Sequence, residues 1–229
     1  MRIRLAWAVF GAIALVHLAA QLVGADATAN VTQWFLMPAL ASVLWLSTFT
    51  PRSRLVVLAL VALGFSWLGD SAPDLTHGDT AFLLMVGFFL LAQITYIVAF
   101  APFTTATVLR RNRGAAVAYV VAVALLVAAC APGAGVLLVP ALAYGAALGA
   151  MAILSAGVNR TAAVGGALFL VSDGMIALGA FADWFTPPVE GFWVMATYIA
   201  AQVLIVLGVL EADRDHRRAS DPRVPAGHE

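Results

Sequence analysis

Two aspartates stand where the sequence otherwise has no place for charge. Asp70 closes the apolar run that begins at Leu63, and Asp173 lies inside the apolar run from Thr161 to Phe181. The apolar stretch after each carries an amide and a phenol: Gln93 and Tyr96 follow the first, Tyr198 and Gln202 the second. Two carboxyls in a low-dielectric setting can divide acid and base roles, one holding a proton while the other stays ionised. An ionisable side chain at the centre of a membrane span costs about 2.5–3.5 kcal/mol on insertion scales, so it is normally turned inward and kept for function.

Helical spacing sorts the neighbours of these acids, because residues three or four apart share a face. Ser66 lies one turn before Asp70, and Ser172 adjoins Asp173. Gln93 and Tyr96 share a face with Phe89 and Phe100, while Tyr198 and Gln202 share another. His17, in the first apolar run, falls at a depth similar to the two acids. The catalytic candidates are therefore Asp70 and Asp173, with Gln93, Tyr96, Tyr198, Gln202, Ser66 and His17 as binding or orienting groups. Taken singly, each amide or phenol reads more readily as an interhelical hydrogen bond that holds a bundle together. Two matching hairpins speak for a site.

Other chemistries find little support. No Gly-x-Ser-x-Gly elbow presents a nucleophilic serine, and no glycine-rich phosphate loop occurs. The formal charge is zero and lysine is absent, which leaves no basic surface for nucleic acid. Cys130 is the single cysteine, so an intrachain disulfide is excluded and the residue reads as packing. The four histidines, His17, His77, His216 and His228, show no ligand spacing. No metal and no cofactor are expected.

The elements that must position the candidates are membrane helices. Hydrophobic residues make up 63% of the 229, charged residues 10%, and the mean hydropathy is +0.97. The bilayer is the solvent for such a chain, and a span needs about 20 apolar residues. Eight runs fit, at 5–23, 31–49, 55–70, 80–100, 115–130, 135–153, 161–181 and 191–210. The first resembles a signal peptide but is long for one, so it reads as an uncleaved span. Pro38 kinks the second. Gly145 and Gly149 in the sixth have the spacing that lets helices approach closely, here expected within one bundle.

The arginines test the count independently. All twelve fall before the first span, in alternate loops (Arg52, Arg54; Arg110, Arg111, Arg113; Arg160) or after the eighth. Cytoplasmic loops concentrate arginine, so the expectation is an all-α membrane protein, a bundle of eight transmembrane helices with both termini cytoplasmic. Residues 1–210 form one domain, and 211–229 a polar, disordered cytoplasmic tail. The setting is an integral membrane protein of the cell (inner) membrane.

The segments Ser66-Trp67-Leu68-Gly69-Asp70, Gln93-Ile-Thr-Tyr96-Ile, Gly166-Ala-Leu-Phe169-Leu-Val-Ser172-Asp173 and Met195-Ala-Thr-Tyr198-Ile-Ala-Ala-Gln202 resemble the YhhN-type lysoplasmalogenase family of multi-span membrane proteins. The resemblance implies that Asp70 and Asp173 are a catalytic pair. It also implies hydrolysis of the alk-1-enyl ether bond of a lysoplasmalogen to a fatty aldehyde and a glycerophospho-alcohol, with a lysophospholipid-type substrate drawn from membrane lipid. One aspartate would donate the proton and the other position water; Asp173, the more buried, is taken as the donor, and the reverse assignment stays open. Two positions depart from the family pattern: Met37-Pro38 stands where Lys-Pro is common, and Gln93 where His is common. A proton-coupled carrier, or a membrane protein without catalysis, would suit the same pattern of intramembrane acids.

Overall fold

The computed structural model describes residues 1–104 and 113–219. Arg110, Arg111, Arg223 and the last ten residues of the expected tail lie outside them. Among the described residues the chain is all helix: α1 Arg2–Val23, α2 Asp26–Leu46, α3 Arg54–Ser71, α4 Asp79–Phe100, α5 Arg113–Ala134, α6 Leu138–Val158, α7 Arg160–Phe181 and α8 Glu190–Ala219. Short 3-10 turns at Ala72–Leu75, Ala101–Phe103 and Gly135–Leu137 join three of the pairs.

Seven stretches among the described residues are long and apolar enough to cross a membrane, against the eight expected. The difference lies at Ala116–Val158, which contains both α5 and α6 because helical structure continues through the turn between them. The turn nevertheless reverses the chain. Gly149 of α6 faces Val123 of α5 so closely that a Cβ there would stand 3.0 Å from a valine methyl; in one straight helix these residues would be about 39 Å apart. Gly135, at φ +48°, supplies the left-handed residue of the reversal. Gly145 and Gly149 thus serve packing within the chain.

Helix pairs adjacent in sequence form the largest interfaces, α7 with α8, α3 with α4 and α1 with α2, and α4 also packs on α6. The α7–α8 contact is set by glycine. A Cβ at Gly165 would meet the Ala201 carbonyl at 2.9 Å, and one at Gly208 the Ala162 amide at 2.7 Å. Without a hydrophobic drive between helices in lipid, such close approach is what holds them together. Asn159 caps the start of α7, its Oδ1 accepting from the Ala162 amide (2.9 Å) and its Nδ2 donating to the Gly208 carbonyl (2.8 Å).

Pro38 leaves the Trp34 carbonyl, one turn earlier in α2, without its helical donor. The Trp67 indole of α3 supplies one at 3.0 Å. Gln33 of α2 likewise donates to the backbone carbonyl of Asp70 (3.1 Å), one of the unpaired carbonyls at the end of α3. The two bonds fix the end of α3 that carries Asp70.

Helix α8 does not stop at Leu210. It continues to Ala219, so the first nine residues of the expected disordered tail are helical. The reason is a local ion pair: Arg217 Nε donates to the buried Asp213 at 2.8 Å, and its Nη2 reaches the Phe49 and Pro51 carbonyls at 3.0 and 2.9 Å. The extension therefore clasps the α2–α3 loop.

Candidate active site

The third and eighth helices meet through two matched pairs of side chains. Asp70 and Ser66 sit one turn apart on α3, as do Tyr198 and Gln202 on the antiparallel α8. The Tyr198 hydroxyl donates to Asp70 Oδ2 at 2.9 Å, and Gln202 Nε2 donates to Ser66 Oγ at 3.0 Å. The amide oxygen of Gln202 accepts from the Tyr96 hydroxyl of α4 at 2.8 Å. All five side chains are buried. This cluster joins α3, α4 and α8 with each polar side chain bonded.

Asp173 stands in a different setting. Its Oδ2 accepts a hydrogen bond from the Tyr144 hydroxyl of α6, and both residues line a small apolar cavity between α4, α5, α6 and α7. The walls are Phe82, Leu83, Met85, Val86 and Phe89 of α4, Leu126, Val127 and Cys130 of α5, Leu137 in the turn, Leu138 and Ala141 of α6, and Ile176, Ala177 and Phe181 of α7. Eight residues of α7 separate Asp173 from Phe181, which sets the carboxyl about 12 Å below the end of that helix. The Ser172 hydroxyl donates to the Val194 carbonyl of α8 (3.0 Å) and fixes the rotation of α7 at this level.

Gln93 goes to Asp173, not to Asp70. Three residues separate Gln93 and Tyr96, enough of a helical turn to send Tyr96 toward α8 and Gln93 toward α6 and α7. The Gln93 amide lies beside the Asp173 carboxyl and the Tyr144 hydroxyl. It is fully buried, yet neither of its polar atoms reaches hydrogen-bond geometry.

The Phe89 ring lies between the cavity and the α3–α8 contact. Phe89 forms part of the cavity wall, meets Tyr198 and Phe169 edge-on at 5.7 and 6.4 Å between centroids, and lies over Gly69, where a Cβ would come within 2.8 Å of the ring. Asp70 is the next residue along α3 and is bonded to Tyr198. The two carboxyls are close enough for their charges to interact, but the cavity is lined by Asp173 alone of the pair.

His17 makes no hydrogen bond to either acid, and its Nε2 is buried without a hydrogen-bond partner among the described residues. Its Nδ1 bonds to the Ala29 carbonyl (3.1 Å) and the Thr32 hydroxyl (3.0 Å) of α2; a carbonyl can only accept, so Nδ1 carries the proton. The ring ties α1 to α2. Tyr144, in contrast, was not among the residues singled out in the sequence. It sits alone in an alanine- and glycine-rich run with no acid or amide beside it, and the one available signal is a phenol in the middle of a span.

An all-helical bundle of long apolar helices, with a buried acid on the wall of an apolar cavity, defines a class: integral, multi-pass membrane proteins. The chain belongs to the YhhN family, whose model matches residues 28–209, a stretch that takes in both aspartates and every polar residue described around them except His17. No curated protein matches the chain, and no solved structure does.

Proposed function

We propose that this protein is a membrane hydrolase that cleaves the vinyl ether bond of a lysoplasmalogen, with eight membrane crossings and both termini cytoplasmic. The observation that carries the reading is the placing of Asp173 on the wall of an apolar cavity, whose lining matches a hydrocarbon chain in character. With this orientation the cavity lies in the outer half of the bilayer, which suits a single-chain lipid of the cell membrane.

Vinyl ethers hydrolyse by protonation at carbon, and Asp173 is the group placed to deliver that proton. The resulting oxocarbenium ion is attacked by water, and the hemiacetal collapses to aldehyde and alcohol. Negative charge near such a cation is what paired carboxyls supply in glycoside hydrolysis. Asp70, outside the cavity lining, is proposed as the second acid of the pair, with the Tyr198, Gln202, Ser66 and Tyr96 cluster orienting it.

The test is to incubate the detergent-purified protein with lysoplasmalogen and with its saturated ether analogue. Aldehyde from the first and none from the second supports the reading. Proton-coupled solute uptake with no aldehyde would indicate a carrier instead, and full turnover in both Asp173→Asn and Asp70→Asn would reject aspartate catalysis.

A further inference from the structure

The hydrolase reading leaves the attacking water without a base at the place where the proton is given, because Asp70 is not among the residues that line the cavity. Two groups near Asp173 are unused by it: the Tyr144 hydroxyl, which lines the cavity and is bonded to Asp173 Oδ2, and the Gln93 amide, which is buried next to both, outside the cavity lining, with neither polar atom in full hydrogen-bond geometry. Resting on that reading, we infer that Gln93 and Tyr144 hold the attacking water against Asp173, and that Tyr144 carries the water's proton back to the carboxylate.

The geometry suits a relay. With Tyr144 donating to Oδ2, the proton of the neutral acid resides on Oδ1. Asp173 gives it to the vinyl carbon farther from oxygen. The electron pair of the double bond makes the new C–H bond, the ether carbon becomes the oxocarbenium centre, and Asp173 is left as a carboxylate. A water that accepts from Gln93 Nε2 and donates to the Tyr144 oxygen attacks that carbon. As its proton moves to Tyr144, the Tyr144 proton moves to Asp173 and the acid is restored. In the hemiacetal, the hydroxyl proton leaves, the glycerol oxygen gains a proton, and the carbon–oxygen bond breaks. Vinyl ether and water become aldehyde and alcohol, with no oxidant or reductant.

The sealed cluster cannot perform this step as arranged. Tyr198 makes the same kind of bond to Asp70, but the amide near it, Gln202, is already bonded at both ends and has no atom left for water.

The experiment uses the full-length purified protein and lysoplasmalogen. Tyr144→Phe is expected to lower kcat about 100-fold, the low end of the range for general acid–base groups, with KM within about twofold because the cavity keeps its shape. Azide, an anion that attacks without giving up a proton, is expected to restore substrate consumption in Tyr144→Phe but not in Asp173→Asn. A structural role for Tyr144 would not respond to azide. Gln93→Met should lower kcat in parallel, and Gln93→His, which keeps a donor and an acceptor, should recover most of it; this pair carries the test if Tyr144→Phe does not fold. Turnover of Tyr144→Phe within threefold of the parent, or a loss that azide leaves untouched, would overturn the relay while leaving the hydrolase standing. A parent protein that releases no aldehyde would overturn both.

Discussion

Two aspartate–tyrosine pairs occupy one bundle and differ in almost everything except burial. Asp70 is 6% exposed and Asp173 is 5%, so burial does not distinguish them. What differs is the company. Asp70 faces α8, whose Tyr198 and Gln202 match Asp70 and Ser66 turn for turn, and the side chains that meet it are bonded among themselves. Asp173 faces α6, which offers Tyr144 and otherwise small or aliphatic residues, so beside it the bundle leaves a cavity. A fully bonded polar cluster rigidifies a core, while a partly bonded one has capacity left for a ligand. On the proposed reading, the contrast separates an acid held in a bonded cluster from one that faces an apolar cavity.

The largest effect should come from exchanging the acids one at a time. Asp173→Asn is expected to reduce aldehyde release by about 1000-fold or more, within the range for loss of a general acid, with little change in thermal unfolding. Asp70→Asn keeps an acceptor for Tyr198 and should reduce release by about 10- to 100-fold, the loss of a charge acting at a distance. Equal losses would erase the distinction between the pairs.

Phe89 offers a direct way to break the partition. An apolar carbodiimide entering from lipid should label Asp173 and spare Asp70, as read by mass spectrometry of the peptides. Phe89→Ala should make Asp70 reactive as well, and should cost about 3 kcal/mol or more of stability for the cavity it creates. Unchanged labelling would mean that something other than the ring screens Asp70.

Gly69→Ala probes the same wall from behind. Its methyl would stand 2.8 Å from the Phe89 ring, so the ring must move toward the cavity. Overpacking of this kind costs about 1–3 kcal/mol. The narrower cavity should shift preference to shorter lipid chains, measured as kcat/KM across a chain-length series. The smallest effect is expected of Tyr96→Phe, which removes one bond to Gln202. It should lower stability by about 0.5–1.5 kcal/mol and change turnover less than threefold; a larger kinetic loss would place the sealed cluster in the reaction itself.

Much of this was legible beforehand because lipid enforces a simple code. Apolar length marked every helix, and the cost of charge in hydrocarbon singled out Asp70 and Asp173. The i, i+4 spacing of Tyr198 with Gln202, and of Ser66 with Asp70, foretold a shared face on each helix. Other features did not show. Gln93 and Tyr96 looked like one pair, yet the angle between them sends them to different acids. His17 looked like a site residue and is a tie between α1 and α2. Tyr144 gave no signal because its partner lies on another helix.

What the sequence determined by itself is the set of helices and the identity of the two costly carboxyls, since both follow from the free energy of placing each residue in hydrocarbon. Which acid faces an open space was decided by tertiary structure. That outcome depends on how α7 and α8 close on their glycines and on where Phe89 comes to rest over Gly69, and these are contacts between residues far apart in the chain that no local spacing encodes.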